Sequence, residues 1–393
     1  MSKKTIFFIA LLITGNMVGA GILAMPIVAG IAGFYPSLMA MFFLCITMLY
    51  TGFVLVREIN EAKQETFNLP SLYEQHFGES GKWLTSIANM SIFYGVLTSY
   101  LAGSTQLVMI LFSIESSFEP LILLTIFVLL TTLAVSSIEI IEKYNTFFMF
   151  ILGVSFLSLV GLGSTEIDSS RFASADWKYL PIAFPMIIAG FVFHFVIPSL
   201  CKASNWSNEI YKPILLGMGI ALFMNIIWLI VGIGVVPKFG DISLNTAYIT
   251  GVPVTVEMSK ILGSELFLVV ATIFAIVAIT TSFISIGMSL KDFLKDIFSN
   301  SFNIENRYLL FVVAFLPPLI ISYLYADIFL KALSFVGGVG VVILFGILPS
   351  IIAYKRAKSK SSKLVSIFFI LVFCATLVIT LLQTFAIISI NPT

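Results

Sequence analysis

The sequence predicts an all-α integral membrane protein with eleven transmembrane helices. They are arranged as a five-plus-five inverted repeat, with helices one and six broken and an eleventh helix appended. Three observations predict it. The 393 residues are 59% hydrophobic and 10% charged, with a mean hydropathy of +1.08, whereas a soluble chain is about 45–50% apolar and about 25% charged. Apolar stretches near the roughly 20 residues a spanning helix needs recur from one end to the other. Helix breakers gather at matching places in the first and sixth stretches.

The spans fall at about 6–33, 36–56, 84–112, 120–140, 145–164, 180–200, 213–236, 264–290, 308–325, 328–353 and 364–389. One transmembrane domain therefore covers 1–393. Residues 6–164 carry the first repeat, 180–353 the second and 364–389 the eleventh helix. The N-terminal "MSKKTIFFIALLITG" has the opening charges of a signal peptide. Its apolar run outlasts an h-region and lacks a cleavage site, so it is expected to stay as the first span. With the N-terminus in the cytoplasm, sixteen of the 21 Lys and Arg residues fall inside and five outside. The loop "YKRAKSKSSK" supplies most of that excess, and the positive-inside rule then places the N-terminus in and the C-terminus out. Between spans, 57–83 is a polar cytoplasmic segment and 165–179 an acidic outer one. The outer segment 237–263 has a second half suited to a short helix lying over the mouth.

The first span contains "GNMVGAGILAMP" (Gly15–Pro26). Gly15, Gly19 and Gly21 lower the cost of unwinding, and Pro26 removes a donor beyond them. In lipid, irregular backbone persists only where it lines a protein cavity. A break there exposes the carbonyl end of one half-helix and the N–H end of the next, with partial negative and positive charge. Such ends suit a zwitterion: carboxylate on the N–H end, ammonium or cation on the carbonyl end. The sixth span repeats the irregularity in "AGFVFHFVIPS", where Gly190 and Pro198 bracket an aromatic cluster around His194. Spans one and six are five apart, as in an inverted repeat. The competing reading is helix packing, since Gly and Pro are common in membrane helices and Gly15–Gly19 is a GxxxG pair.

No Asp, Glu, Lys or Arg falls at the expected midplane of a span; Glu139, Glu142, Asp327 and Lys331 sit at ends. That argues against a hydrophilic channel or redox carrier. Cys45, Cys201 and Cys374 are far apart and the chain has two histidines, so neither a metal set, a cofactor nor a disulfide framework is expected. No nucleophile–base set points to an enzyme, and the net charge of +1 suggests no nucleic-acid partner. His194 is read as a hydrogen-bond donor to substrate, a proton-coupling group or a packed neutral imidazole. Thr280, Thr281, Ser282 and Ser285 in the eighth span offer oxygens for Na⁺, or simply bond back within their helix. Tyr94, Thr98 and Tyr100 in the third span line a site or pack.

At these residues the chain resembles the bacterial aromatic and hydroxy amino acid permeases, tyrosine-specific permeases most closely. "GNMVGAGILAMP" follows their G-x-x-x-G-A-G-x-L-x-x-P pattern. "FVFHFVIPS" is similar to their "GFH…VPS", and "TSFISIGMSLKDFLKD" to their eighth helix; "FLPPL" and "ILPS" fall at similar places. The similarity runs over essentially the whole chain. It implies the LeuT-type fold of the amino acid–polyamine–organocation superfamily and proton-driven uptake across a bacterial inner membrane. By that resemblance Gly19, Ala20 and Gly21 receive the substrate carboxylate. Phe191, Val192, Phe193 and His194 offer carbonyls to the ammonium and side chains to the ring. Asn16, Ile22, Tyr94, Thr98 and Phe195 complete the substrate set. Thr281 and Ser282 face Gly15 and Val18, where sodium-coupled relatives hold an ion. Phe191 stands where the tyrosine permeases have glycine, and Phe195 where they have a small residue, so the pocket is expected to differ in shape. The expected partners are an amino acid, a coupling ion (H⁺ ahead of Na⁺) and the bilayer. A serine/threonine permease, a Na⁺-coupled symporter and a transporter-like sensor are the alternatives.

Overall fold

A computed structural model describes residues 2–19, 21–62, 69–135, 138–298, 306–385 and 387. The described residues are helical almost throughout. In chain order the helices are α1 (Lys3–Met17), α2 (Gly21–Ala32), α3 (Phe34–Ala62), α4 (Leu69–Leu111), α5 (Glu119–Val135) and α6 (Ile138–Gly163). Then come α7 (Leu180–Gly190), α8 (Ile197–Ala203), α9 (Tyr211–Val235), α10 (Leu244–Thr250), α11 (Val254–Leu262), α12 (Glu265–Ile297) and α13 (Arg307–Leu324). The last are α14 (Phe329–Phe335), a π-helical stretch (Val336–Ile347), α15 (Leu348–Arg356) and α16 (Lys360–Thr384). Among the described residues nine helices are long and apolar enough to cross a membrane, or ten if the bent pair α1–α2 is one span. A shorter apolar helix covers Phe150–Glu166. The chain is a multi-pass membrane protein.

Helix starts follow local capping chemistry. Ser264 accepts from the Phe267 N–H at 3.1 Å, Asn306 from Tyr308 at 2.9 Å, and Ser359 from Ser362 at 3.1 Å. The segment 237–263 holds two helices where the sequence suggested one. Ser243 caps α10, and Gly251 and Gly263 end α10 and α11 in the left-handed region.

Two compact units divide the chain. One comprises Met1–Ile92, Ala173–Ile227 and Ser334–Thr393; the other comprises Phe93–Phe172 and Trp228–Leu333. Each draws on both halves of the sequence. In the first unit α2 packs on α7, α7 on the π-helical stretch, and α3 on α7, α8 and α15, with α16 along the outside. Gly33 turns the chain from α2 into α3 at φ 93°, with the Ser174 carbonyl where a Cβ would lie. Beside it the Asp176 N–H donates to Ala32 O at 2.8 Å. In the second unit α12 packs on α5, α6 and α13. There Arg171 donates to the carbonyls of Gly234 (2.7 Å) and Val235, pinning the segment after α6 to the end of α9. In the same segment, hydrogen bonds from Ser170 hold the Asp168 carboxyl below its usual range.

Two expectations are corrected. The second span does not stop at 56. Helix α3 continues to Ala62, because Glu58 in that extension is buried and paired with Arg356 from a distant segment, with His76 Nε2 within hydrogen-bond distance. The polar segment expected at 57–83 is accordingly mostly helical. The tenth span is not a plain α-helix. Its middle winds as a π-helix where Gly337, Gly338, Gly340 and Gly346 let neighbours approach closely.

Candidate functional site

The first break begins where α1 ends at Met17. The Val18 N–H still reaches Thr14 O (2.8 Å), but Val18 itself leaves the helical region at φ −90°, ψ 59°. Helix α2 starts at Gly21, bent 61° from α1. Ala20, expected in the carboxylate seat, lies outside the described residues. The Ile22 N–H donates to Gly19 O at 3.1 Å, a tight turn that opens α2. Pro26 lies inside α2 and does not end it. A Cβ built on Gly21 meets no atom within 4 Å, so the start of α2 faces open space. The first-turn N–H groups of α2 lack partners within the helix and carry its partial positive charge. Ile22 and Val18 are buried, and Gly15 lies in the last turn of α1. The Asn16 amide donates back to Leu12 O at 3.0 Å on its own exposed helix face. Thr14 anchors α1 by standing between the carbonyls of Ala10 (2.9 Å) and Gly217 (3.0 Å).

The second break lies between Gly190 and Ile197. The chain tightens so that Phe191 N–H meets Ile188 O (3.1 Å) and Val196 N–H meets Phe193 O (3.1 Å). Phe191 and Phe193 take φ, ψ of −116°, 19° and −123°, 0°, the sparsely populated bridge region. Pro198, in the first turn of α8, restarts the helix where its missing N–H costs nothing. The two breaks share one unit. α2 packs on α7, and a Cβ on Gly190 would come within 2.7 Å of the Met25 methyl.

The side chains of the second break point into the unit. The Phe193 ring fills the space that a Cβ on Gly52 of α3 would need. The His194 ring is wholly buried, 4.9 Å from Phe345 in a stacked geometry and 4.7 Å from Phe193. Its Nε2 lies 3.1 Å from Thr51 Oγ1, and that hydroxyl is also 3.1 Å from Met48 O. With the Thr51 proton on the Met48 carbonyl, Nε2 carries the imidazole proton and Nδ1 is bare. Nδ1 is buried without a partner. Phe195 packs edge-on to Phe345 at 4.7 Å. Phe191 and Val192 are buried. Thr51, Gly52 and Phe345 were not singled out from the sequence. The Thr-Gly pair inside an apolar span was the available signal.

Tyr94, Thr98, Thr281 and Ser282 belong to the second unit. There the Tyr94 hydroxyl donates to Val313 O at 2.7 Å. Thr98 gives its carbonyl to Ser322 (3.1 Å), while its own hydroxyl and that of Ser99 are buried without partners. Thr281 donates back within α12, to Val277 O (2.9 Å) and Ala278 O (3.1 Å). Among the described residues no group of three or more His, Cys, Asp or Glu is placed to hold a metal ion.

Discontinuous helices within an apolar bundle define a membrane transporter. The fold is shared with a manganese transporter of Eremococcus coleocola, at TM-score 0.55 and 13% identity over 96% of this chain and 95% of that one. The profile of the tryptophan/tyrosine permease family matches residues 2–391, and the chain belongs to that family, whose members are permeases and not enzymes. It is 26% identical to tyrosine-specific transport system 2 of Haemophilus influenzae, over 86% of this chain and 84% of that protein. It is 25% identical to glutamine transporter 2 of Aliivibrio fischeri, over 84% of each.

Proposed function

We propose that the chain is a secondary active importer of an aromatic amino acid, tyrosine first, driven by proton symport across a bacterial inner membrane. The observation that carries this reading is the pair of helix breaks in one unit, with open space at the start of α2. In this reading the N–H groups of Gly19, Ala20 and Gly21 take the substrate carboxylate, and the carbonyls of 191–193 take the ammonium. Closure of the broken helices around the substrate lets the transporter alternate between outward-open and inward-open states. The eleven spans, the inverted repeat and the N-in, C-out orientation belong to the same proposal.

Proton coupling is preferred to sodium on the strength of His194, since Thr281 donates within its own helix and keeps its oxygen lone pairs whichever ion drives transport. His194, with a bare buried nitrogen, supplies an acceptor for a proton. A second reading, a polar amino acid as substrate, is favoured by the relative named as a glutamine transporter. The test is uptake of labelled tyrosine into proteoliposomes under an imposed proton gradient, competed with tryptophan, phenylalanine, glutamine and serine. Gradient-driven accumulation blocked by unlabelled aromatics supports the proposal. No gradient-dependent accumulation of any aromatic amino acid sinks it, and competition by glutamine alone favours the second reading.

A further inference from the structure

The described part of α4 begins with a segment that is separate from its membrane-spanning part. Gly78 interrupts it at φ 68°, ψ −162°, a conformation L side chains rarely adopt, and a Cβ there meets nothing within 4 Å. Leu69–Phe77 is thus a short helical strap on a glycine hinge. The chain doubles back tightly after it: a Cβ on Gly81 would lie 2.6 Å from the Tyr73 carbonyl. Leu69, Leu72 and Tyr73 are buried beneath the strap, whereas Gln75 and Gly78 are exposed.

Polar contacts fasten this strap at defined points. The Tyr73 hydroxyl donates to Leu344 O, in the π-helical stretch, at 2.5 Å. His76 Nε2 lies 3.0 Å from Glu58 Oε2, and Lys355 donates to His76 O at 3.0 Å while its ammonium covers the Phe77 ring at 4.4 Å. Glu58 is the centre of the fastening. Its side chain is 1% exposed, yet Arg356 reaches Oε2 at 2.9 Å and Arg57 reaches Oε1 at 3.2 Å. Arg356 also pairs with Glu61. A carboxylate buried this deeply is tolerable only with such partners. Beside them on α3, the Asn60 amide is buried with neither its oxygen nor its nitrogen partnered. The contacts therefore hold three segments together, α3, the strap and α15, through one saturated acid, and leave one amide unsatisfied.

We propose that Leu69–Phe77 is a gating strap, latched on Glu58 through His76, that swings on Gly78 and must release for the permease to complete its cycle. This rests on the transport reading above. A static brace would not need a hinge in a glycine-only conformation. Lifting the strap would expose Leu72 and Tyr73 to water.

The experiment uses the full chain in proteoliposomes, with Cys45, Cys201 and Cys374 replaced by alanine and a Leu72→Cys substitution added. The rate at which a water-soluble maleimide modifies the new thiol is measured at rest, during tyrosine uptake, and after adding Glu58→Gln. Both turnover and the Glu58→Gln change are expected to raise the rate about tenfold, the scale of one charge-assisted hydrogen bond lost from a buried acid. A Tyr73→Cys substitution with His76→Gln repeats the measurement on independent positions. Uptake of tyrosine with an unchanged labelling rate in both sets overturns the strap. Faster labelling on Glu58→Gln without any uptake of aromatic amino acids leaves the strap standing and overturns the transport reading instead.

Discussion

The two breaks of the first unit are built from opposite materials. At Val18–Gly21 the chain opens with glycine, and a Cβ on Gly21 meets nothing. At Phe191–Val196 it opens with bulky aromatics, of which Phe191, Phe193 and His194 are completely buried, and the glycine that makes room for Phe193 stands on the opposing helix, at Gly52. Both arrangements release backbone groups from a helix; at the first, the space beside Gly21 is open. A ligand can therefore approach the first break directly, while the second is a wall whose backbone is presented by packing. Substitutions that add a methyl group should separate the two: in the first break they strike function, in the second they strike the fold.

The largest effect expected is at Gly21. In Gly21→Val the branched side chain enters the open space at the start of α2, so tyrosine uptake should fall to background while the detergent melting temperature stays at the parent value. Retained uptake would mean that the space beside α2 is not the substrate seat. Next is Gly52→Ala, whose Cβ would overlap the Phe193 ring. Overpacking of this kind costs about 1–3 kcal/mol, so the melting temperature should drop and uptake should fall with it. A melting temperature equal to the parent's would show that the aromatic wall yields, and would remove the contrast between the breaks.

A smaller and more selective effect is expected at His194. Glutamine there keeps a donor for Thr51 and loses the titratable ring. If His194 carries the coupling proton, His194→Gln should still exchange tyrosine across the membrane but no longer concentrate it under a proton gradient. Counterflow and gradient-driven uptake, measured side by side, read the difference. Equal loss of both would assign His194 to packing alone, between Phe193 and Phe345.

Both breaks were legible because glycine and proline in an apolar run have few explanations. Gly15, Gly19 and Gly21 marked one, and Gly190 with Pro198 the other. What the rings of the second break touch was not legible. The directions of Phe193 and His194 are set by Gly52 and Thr51 on α3, more than a hundred residues earlier in the chain. The end of α3 was misread for a similar reason. Arg57, Glu58, Asn60 and Glu61 look like a loop until Arg356 arrives to pair with Glu58 and His76 comes within hydrogen-bond distance of it. The π-helix left no periodicity to find, since side-chain patterning reports on the 3.6-residue helix and hardly on its wider relative. Hydroxyl clusters were ambiguous in another way, because Ser and Thr in a membrane helix bond to their own backbone as readily as to an ion.

That ambiguity sets the smallest effect, at Ser282. Its neighbour Thr281 donates its proton to Val277 and Ala278 on α12, which leaves the oxygen lone pairs that a Na⁺ ion would use. If protons drive transport, Ser282→Ala removes one hydroxyl and no ligand, so tyrosine uptake should match the parent's in sodium and in sodium-free buffer alike. If sodium binds here, the same substitution removes a ligand oxygen, and half-maximal uptake should then require more sodium. Titrating sodium at a fixed proton gradient distinguishes the two. A sodium-dependent parent whose dependence shifts in Ser282→Ala would return this stretch of α12 to the ion site and displace His194 from the coupling role.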